Sequence, residues 1–148
     1  ASGPSLPPGV AIVATESVFA DEGVETPDGF EDLATMGFGP LTGAPGDGLR
    51  LPAAPALLNA LRACADEAAP IATVSVCSGT DALANAIASR SGGAAEAMEG
   101  AAIALVCARR GTPFVELRTV SNTTGDRANQ QWNIRAALER LGGIASRL

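Results

Sequence analysis

The sequence predicts an α/β protein, a sheet in layered packing with helices. Three observations lead there. Valine- and isoleucine-bearing stretches of strand length fall at residues 10–18, 71–77 and 114–120. Stretches with apolar residues at helical spacing lie between and after them, and strands that alternate with helices build layered sheets rather than sandwiches. Finally, 47% of the 148 residues are hydrophobic, with no long interdomain linker, which suits one domain with a real core.

Taken in order, residues 1–9 carry Gly, Ser and Pro without periodicity and read as loop or as the remnant of something longer. VAIVATESV at 10–18 is a strand. The stretch 19–49 is acidic and studded with Gly and Pro; a mobile surface loop and a substrate lid or subunit contact both fit so long an irregular segment. Residues 52–69 predict an amphipathic helix with Leu57, Leu61, Cys64 and Ala68 on its apolar stripe and Asn59, Arg62, Asp66 and Glu67 opposite. A buried strand at 71–77 runs into the turn Ser78-Gly79-Thr80-Asp81, which either simply caps a helix at 82–90 or also lines a pocket at the sheet edge. Ser91-Gly92-Gly93 breaks the chain.

From 100 to 107 the residues are small or aliphatic all round, which predicts a helix with no solvent face. Glu99 opens it, where the helix dipole and unpaired first-turn N–H groups favour an ionised carboxylate. Gly111 stops the helix, Pro113 restarts the chain, and the strand 114–120 ends in Ser121 and Asn122, at the carboxyl end where α/β sheets bind ligands. A polar loop follows at 123–129. The last helix starts near residue 130, with Ile134, Leu138, Leu141, Ala145 and Leu148 on its apolar face. Three or four strands are few for a sheet covered on both faces, and an N-terminal portion is therefore expected to be absent.

Composition excludes much. Net charge is −6 and all ten basic residues are scattered Arg, the reverse of a phosphate-tracking surface, so nucleic acid is not an expected partner. No window has the length of a membrane span and no secretion signal is visible, so a cytoplasmic protein without a membrane partner is expected. Cys64, Cys77 and Cys107 are odd in number, widely spaced and set in apolar segments, which predicts buried reduced thiols. With no His, Lys or Tyr, a Ser-His-Asp triad, a Cys-His pair, a Schiff-base lysine and a P-loop lysine are all excluded within the chain. Zinc lacks imidazole and paired cysteines, and no metal is expected. Chemistry is left to carboxylates, Arg, amides, hydroxyls and backbone donors.

AMEGAAIA at 97–104, the Gly-Thr-Pro-Phe strand entry at 111–114 and the Arg-x-x-Ser-Asn ending at 118–122 resemble the nucleoside phosphorylase and nucleosidase superfamily. SNTTGDRANQQW, ADEGVETPDGF and MGFG are most similar to its futalosine hydrolase branch, of the alternative menaquinone pathway. The resemblance implies a three-layer α/β/α phosphorylase/hydrolase-like fold, here a single partial domain, N-terminally truncated relative to that family. It implies hydrolysis of the N-ribosidic bond of futalosine with release of hypoxanthine, no metal or organic cofactor, a small nucleoside as substrate and a homo-oligomer. By the same resemblance Glu99 accepts hydrogen bonds from the ribose hydroxyls and Met98 packs beneath the sugar. Asn122 stands where adenine-releasing relatives place Asp, and an amide offers donor and acceptor to a 6-oxopurine. Ser121 positions that amide, and Ser78 and Thr80 flank base and ribose. Arg127 is open between clamping the carboxylate of the substrate tail and a solvated or structural role, and Arg118 between that clamp and a structural role such as neutralising an internal acid. Trp132 is open between core packing and covering the tail. A phosphorylase, a methylthioadenosine-type nucleosidase and a non-catalytic binding or oligomerisation module are the alternatives.

Overall fold

The computed structural model describes residues 5–39 and 48–148. Its centre is the strand β1 (Ala11–Phe19). There follow the hairpin β2 (Gly23–Thr26) and β3 (Gly29–Asp32), strand β4 (Arg50–Pro52) and helix α1 (Pro55–Arg62). Strand β5 (Glu67–Thr73), helix α2 (Asp81–Ser91), strand β6 (Ala95–Ala97), helix α3 (Gly100–Arg110), strand β7 (Leu117–Thr119) and helix α4 (Ile134–Ala145) complete the order.

β1 is made of Ala, Ile and Val where it is deepest, and Ala11, Ile12 and Val13 are wholly buried. On one side it pairs parallel to β5, which pairs parallel to β6. On the other side two short strands share its length: β7 lies antiparallel against Ala11 to Val13 and β4 antiparallel against Glu16 to Val18. Between Ala14 and Ser17 the register with β5 shifts, so that Ala14 faces Ala69 while Ser17 faces Ile71. This bulge returns Ser17 to the sheet face of Ile12 and Ala14.

Alternation along β5 separates the layers. Ala72 and Val74 pack with Ile87 of α2, while the Thr73 hydroxyl, on the opposite face, accepts the Ala101 N–H of α3 at 2.8 Å. Helices therefore cover both faces, as a three-layer fold requires. A second cluster, Leu51 with Ala101 and Ala104 and the flanking Phe19 and Phe114, seats α3 on β4.

Several elements differ from their sequence expectation. The helix expected over 52–69 ends at Arg62, and Glu67 already belongs to β5. Alanine-rich chain suits either state, and pairing of residues 67–69 with β1 decides it. The stripe of Leu57 and Leu61 is not a core contact, since α1 buries no residue. Correspondingly β5 stops at Thr73 rather than 77, and Val76 and Cys77 are exposed. None of the three cysteines is fully buried. Only Leu117–Thr119 of the stretch 114–120 is laddered.

α3 does have a solvent face: Gly100, Ala101 and Ala104 are buried, but Ile103 and Val106 are at least half exposed. α4 begins at Ile134 with Asn133 as its cap, after a single 3-10 turn at Arg127–Asn129. It buries Ala137 and Ile144, whereas Ile134, Leu138, Leu141 and Leu148 are exposed. Periodicity locates an apolar stripe without saying what covers it.

The segment 19–49 holds a hairpin where irregular chain was expected. Thr26 donates to the Gly29 carbonyl and accepts the Asp28 N–H, and Gly29 takes the positive φ of 126° that closes the turn. Phe30 stacks under the Arg90 guanidinium at 4.1 Å, tying the hairpin to α2. Residues 40–47 of that segment, and 1–4 of the N-terminal stretch, lie outside the described residues.

Thr73→Val keeps the shape of β5 but leaves the buried Ala101 N–H without its acceptor. Urea unfolding is expected to show a loss of roughly 1–3 kcal/mol; unaltered stability would show that this hydroxyl does not anchor α3.

Candidate active site

The sheet places three acidic and basic groups in a string. Glu116 and Arg118 are two residues apart on extended chain and share a face. Glu116 is 6% exposed; its Oε2 accepts the Ser17 hydroxyl at 2.6 Å and its Oε1 accepts Arg118 Nε at 2.7 Å. The far end of the same guanidinium donates from Nη2 to Glu99 Oε2 at 2.8 Å. Desolvation works against the Arg118 charge, but the bonds to Glu116 and Glu99 outweigh it and its pKa is raised. Arg118 thus neutralises an internal acid, one of the two roles left open for it, and holds a second acid in place.

Glu99 is the N-cap residue of α3, but its carboxylate makes no capping bond. The expectation that first-turn N–H groups hold its charge in a nearly apolar setting is corrected. Thr73 already takes the Ala101 N–H, Arg118 supplies the counter-charge, and the Glu99 side chain is 58% exposed. Gly100 is the enabling residue behind it. A Cβ there would run into the Glu116 carboxyl group.

Ser121 and Asn122 follow β7 at its carboxyl end. The Ser121 hydroxyl donates to Asn122 Oδ1 at 2.7 Å and Asn122 Nδ2 donates to the Thr123 carbonyl at 3.0 Å, which fixes which way the amide points. A bridge between Asn122 and Trp132 closes the polar loop. Gln130 fastens that loop to the next wall by donating to the Ser78 and Gly125 carbonyls.

Ser78, Glu96, Arg118, Ser121 and Asn122 line one cavity of about 180 Å³ with Ile12 and Ile71 behind them. A larger cleft of about 420 Å³ runs between α3 and α4 past Ile103, Leu138 and Leu141, and Arg118 and Ser121 line both. Of the residues singled out in the sequence, Ser78, Ser121 and Asn122 therefore meet in one cavity. Glu99 does not line it and is joined to it through Arg118. Met98 is 52% exposed and lines neither space. Thr80 is turned to α2, where its hydroxyl accepts the Leu83 N–H at 3.2 Å. Arg127 lies outside the cavity, bonded to Gln130 and stacked 4.5 Å over the Trp132 ring. Trp132 is about half exposed, not a core residue.

Two residues of the site were not singled out in the sequence, Glu116 and Glu96. The Glu-Leu-Arg spacing of 116–118 is a usable signal for the first. Glu96 offers none, because its role depends on the Ser78 turn coming back over β6, where Glu96 Oε2 accepts the Ser78 N–H at 2.8 Å. Cys77 borders the same cavity. Partial withdrawal from water, then the negative charges of Glu96, Glu99 and Asp21, push its thiol pKa up.

The sequence matches the profile of the phosphorylase superfamily over residues 1–148. It is 38% identical over 146 residues to a futalosine hydrolase of Streptomyces coelicolor, a match covering 98% of this chain and 59% of that protein. The chain thus spans about three fifths of the length of that relative. In fold it resembles an S-adenosylhomocysteine nucleosidase from Streptococcus pyogenes in complex with 5-methylthiotubericidin, with a TM-score of 0.68 and 22% identity over 100% of this chain and 64% of the other. A futalosine hydrolase of Helicobacter pylori gives a TM-score of 0.66 at 19% identity, covering 97% and 62%.

Gly100→Ala sets a helix-propensity gain of at most about 1 kcal/mol against overpacking of about 1–3 kcal/mol at Glu116. A net loss in urea unfolding is expected, and a stabilised variant would place the Glu116 carboxyl elsewhere. Alkylation of Cys77 followed by peptide mass is expected to rise only above the ordinary thiol range, and Glu96→Gln to shift the rise to lower pH. A profile unmoved by that substitution would show that the carboxylate does not act on the thiol.

Proposed function

The chain belongs to the phosphorylase superfamily, and we propose that it carries the sugar- and base-facing part of a nucleosidase that hydrolyses the N-ribosidic bond of futalosine and releases hypoxanthine. The observation that carries this reading is the position of Arg118, which fixes Glu99 with one end of its guanidinium and is itself among the residues lining the cavity of Asn122. An anion held at the rim and an amide held inside suit the two ends of a nucleoside.

In this reading the bond between the sugar C1′ and the base nitrogen breaks with its electron pair leaving on the base. The sugar passes through an oxocarbenium-like state, water adds its oxygen to C1′, and one of its protons goes to the departing base. Glu99 accepts hydrogen bonds from the ribose hydroxyls, and its charge stabilises the cationic sugar most when positive charge is greatest. Met98 offers a polarisable apolar surface beneath the sugar. Asn122, held by Ser121, still has one N–H and one lone pair to give the 6-oxopurine, and Ser78 completes that wall. Thr80 acts through the turn it caps, and Arg127 with Trp132 takes the carboxylated aromatic tail from outside the cavity. The enzyme works in the cytoplasm as a homo-oligomer, needs no cofactor, and has a small nucleoside rather than nucleic acid or membrane as its partner. Segment 19–49 serves as lid or subunit contact. Among the described residues no helix is long and apolar enough to cross a membrane.

Incubation of the purified chain with futalosine, inosine and methylthioadenosine, with and without phosphate, tests the reading by product analysis. Hypoxanthine release from futalosine without phosphate is expected; phosphate-dependent release would make it a phosphorylase, and no release would leave a binding or oligomerisation module. Glu99→Gln is expected to lower kcat roughly 10²- to 10³-fold with little change in KM or melting temperature. Turnover equal to that of the unaltered chain would remove Glu99 from the mechanism.

A further inference from the structure

The cavity that holds Asn122 takes its walls from separate stretches of chain: Ser78 from the turn before α2, and Ser121, Asn122 and Thr124 from the start of the polar loop. That loop is zipped at its base. Asn122 bridges Trp132, the Thr123 N–H donates to the Gln131 carbonyl at 3.1 Å, and the Thr123 hydroxyl accepts the Gln131 N–H at 3.0 Å. A zipped base gives a loop its shape but not its lean, which depends on how its tip is tied to the Ser78 turn.

The tie is reciprocal. Asp126 Oδ1 accepts the Asp81 N–H at 3.0 Å, and Asp81 Oδ1 accepts the Asp126 N–H at 3.1 Å. Asp81 is the first residue of α2, and the opening N–H groups of a helix have no partner within it. Thr80 takes the Leu83 N–H, which leaves the Asp81 N–H to a residue 45 positions away. Two carboxylates brought together repel, but each is met by the other's N–H and both stand at the positive end of the α2 dipole. Beside them the Arg127 N–H donates to the Gly79 carbonyl at 3.0 Å. Gly125 makes the approach possible: it takes a φ of 94°, and a Cβ there would run into Asp81 Oδ1.

We propose that Asp81 and Asp126 are positioning residues, a clasp that holds the Asn122 loop against the Ser78 turn and so keeps the two walls of the cavity at binding distance. The proposal rests on the nucleosidase reading of that cavity. It puts control of the base-facing amide in a pair of acids that line no part of the cavity themselves. With the clasp open the loop is free to lean away, and affinity falls with the fraction of molecules still holding it in place.

Hydrogen exchange read by mass spectrometry and calorimetric titration with hypoxanthine, both on the full chain, test it. Asp126→Ala is expected to speed exchange over residues 123–131 roughly tenfold, as for the loss of a hydrogen bond to a charged group. It is expected to weaken hypoxanthine binding by a similar factor and to leave exchange in α4 as it was. Asp126→Asn keeps an acceptor for the Asp81 N–H and is expected to stay within about threefold of the unaltered chain in both readouts. Gly125→Ala retains both carboxylates but drives them apart, and is expected to follow Asp126→Ala. Unaltered loop exchange in Asp126→Ala would overturn the clasp, and a loosened loop with undiminished hypoxanthine affinity would overturn its positioning role. Failure of the unaltered chain to bind hypoxanthine, with its loop still protected, would instead overturn the nucleosidase reading itself.

Discussion

A carboxylate shut inside a protein demands compensation, and the compensation for Glu116 organises this molecule. Its two oxygens are divided between Ser17 on the central strand and Arg118 two residues further along its own chain. Left alone, such a buried charge is costly enough that the protein would protonate it or rearrange. Paired, it orients a guanidinium whose other end remains available, and that end sets the position of Glu99. The polar site is thus an outgrowth of a structural obligation in the sheet, and the absence of a side chain at Gly100 is what lets helix α3 begin so close to it.

Much of the fold was legible in the sequence because its signals are local. Valine-rich β1, the Thr80 cap of α2 and the Gly111 stop of α3 each follow from residues within a few positions of one another. The errors share one cause. Alanine-rich chain such as 63–69 has no strong preference of its own, and only pairing with β1 makes its second half a strand. Likewise the composition of α3 and α4 announces apolar faces, but Ile103, Val106, Ile134 and Leu138 are exposed in the chain as described.

The candidate site was legible to the extent that it sits at the ends of elements. Ser121 and Asn122 were found because they follow a strand, and Ser78 because it precedes a helix. Glu116 and Glu96 escaped because each is defined by a partner far away in sequence, Ser17 in one case and Ser78 in the other. Arg118 was ambiguous for the same reason: a strand arginine beside one acid reads as structural until a second acid is brought to its other end.

The bulge in β1 gives the central strand an arithmetic of its own. Before it, even-numbered residues look toward the site, and after it odd-numbered ones do, so Ile12, Ala14 and Ser17 all face the same way. Removing or adding a single residue between positions 14 and 17 would swap that parity for everything downstream, turning the Ser17 hydroxyl to the α2 side and exchanging the neighbours of Val18 and Phe19. The spacing between the two halves of this strand is accordingly a fixed length, one that natural variation can change only together with both layers it separates.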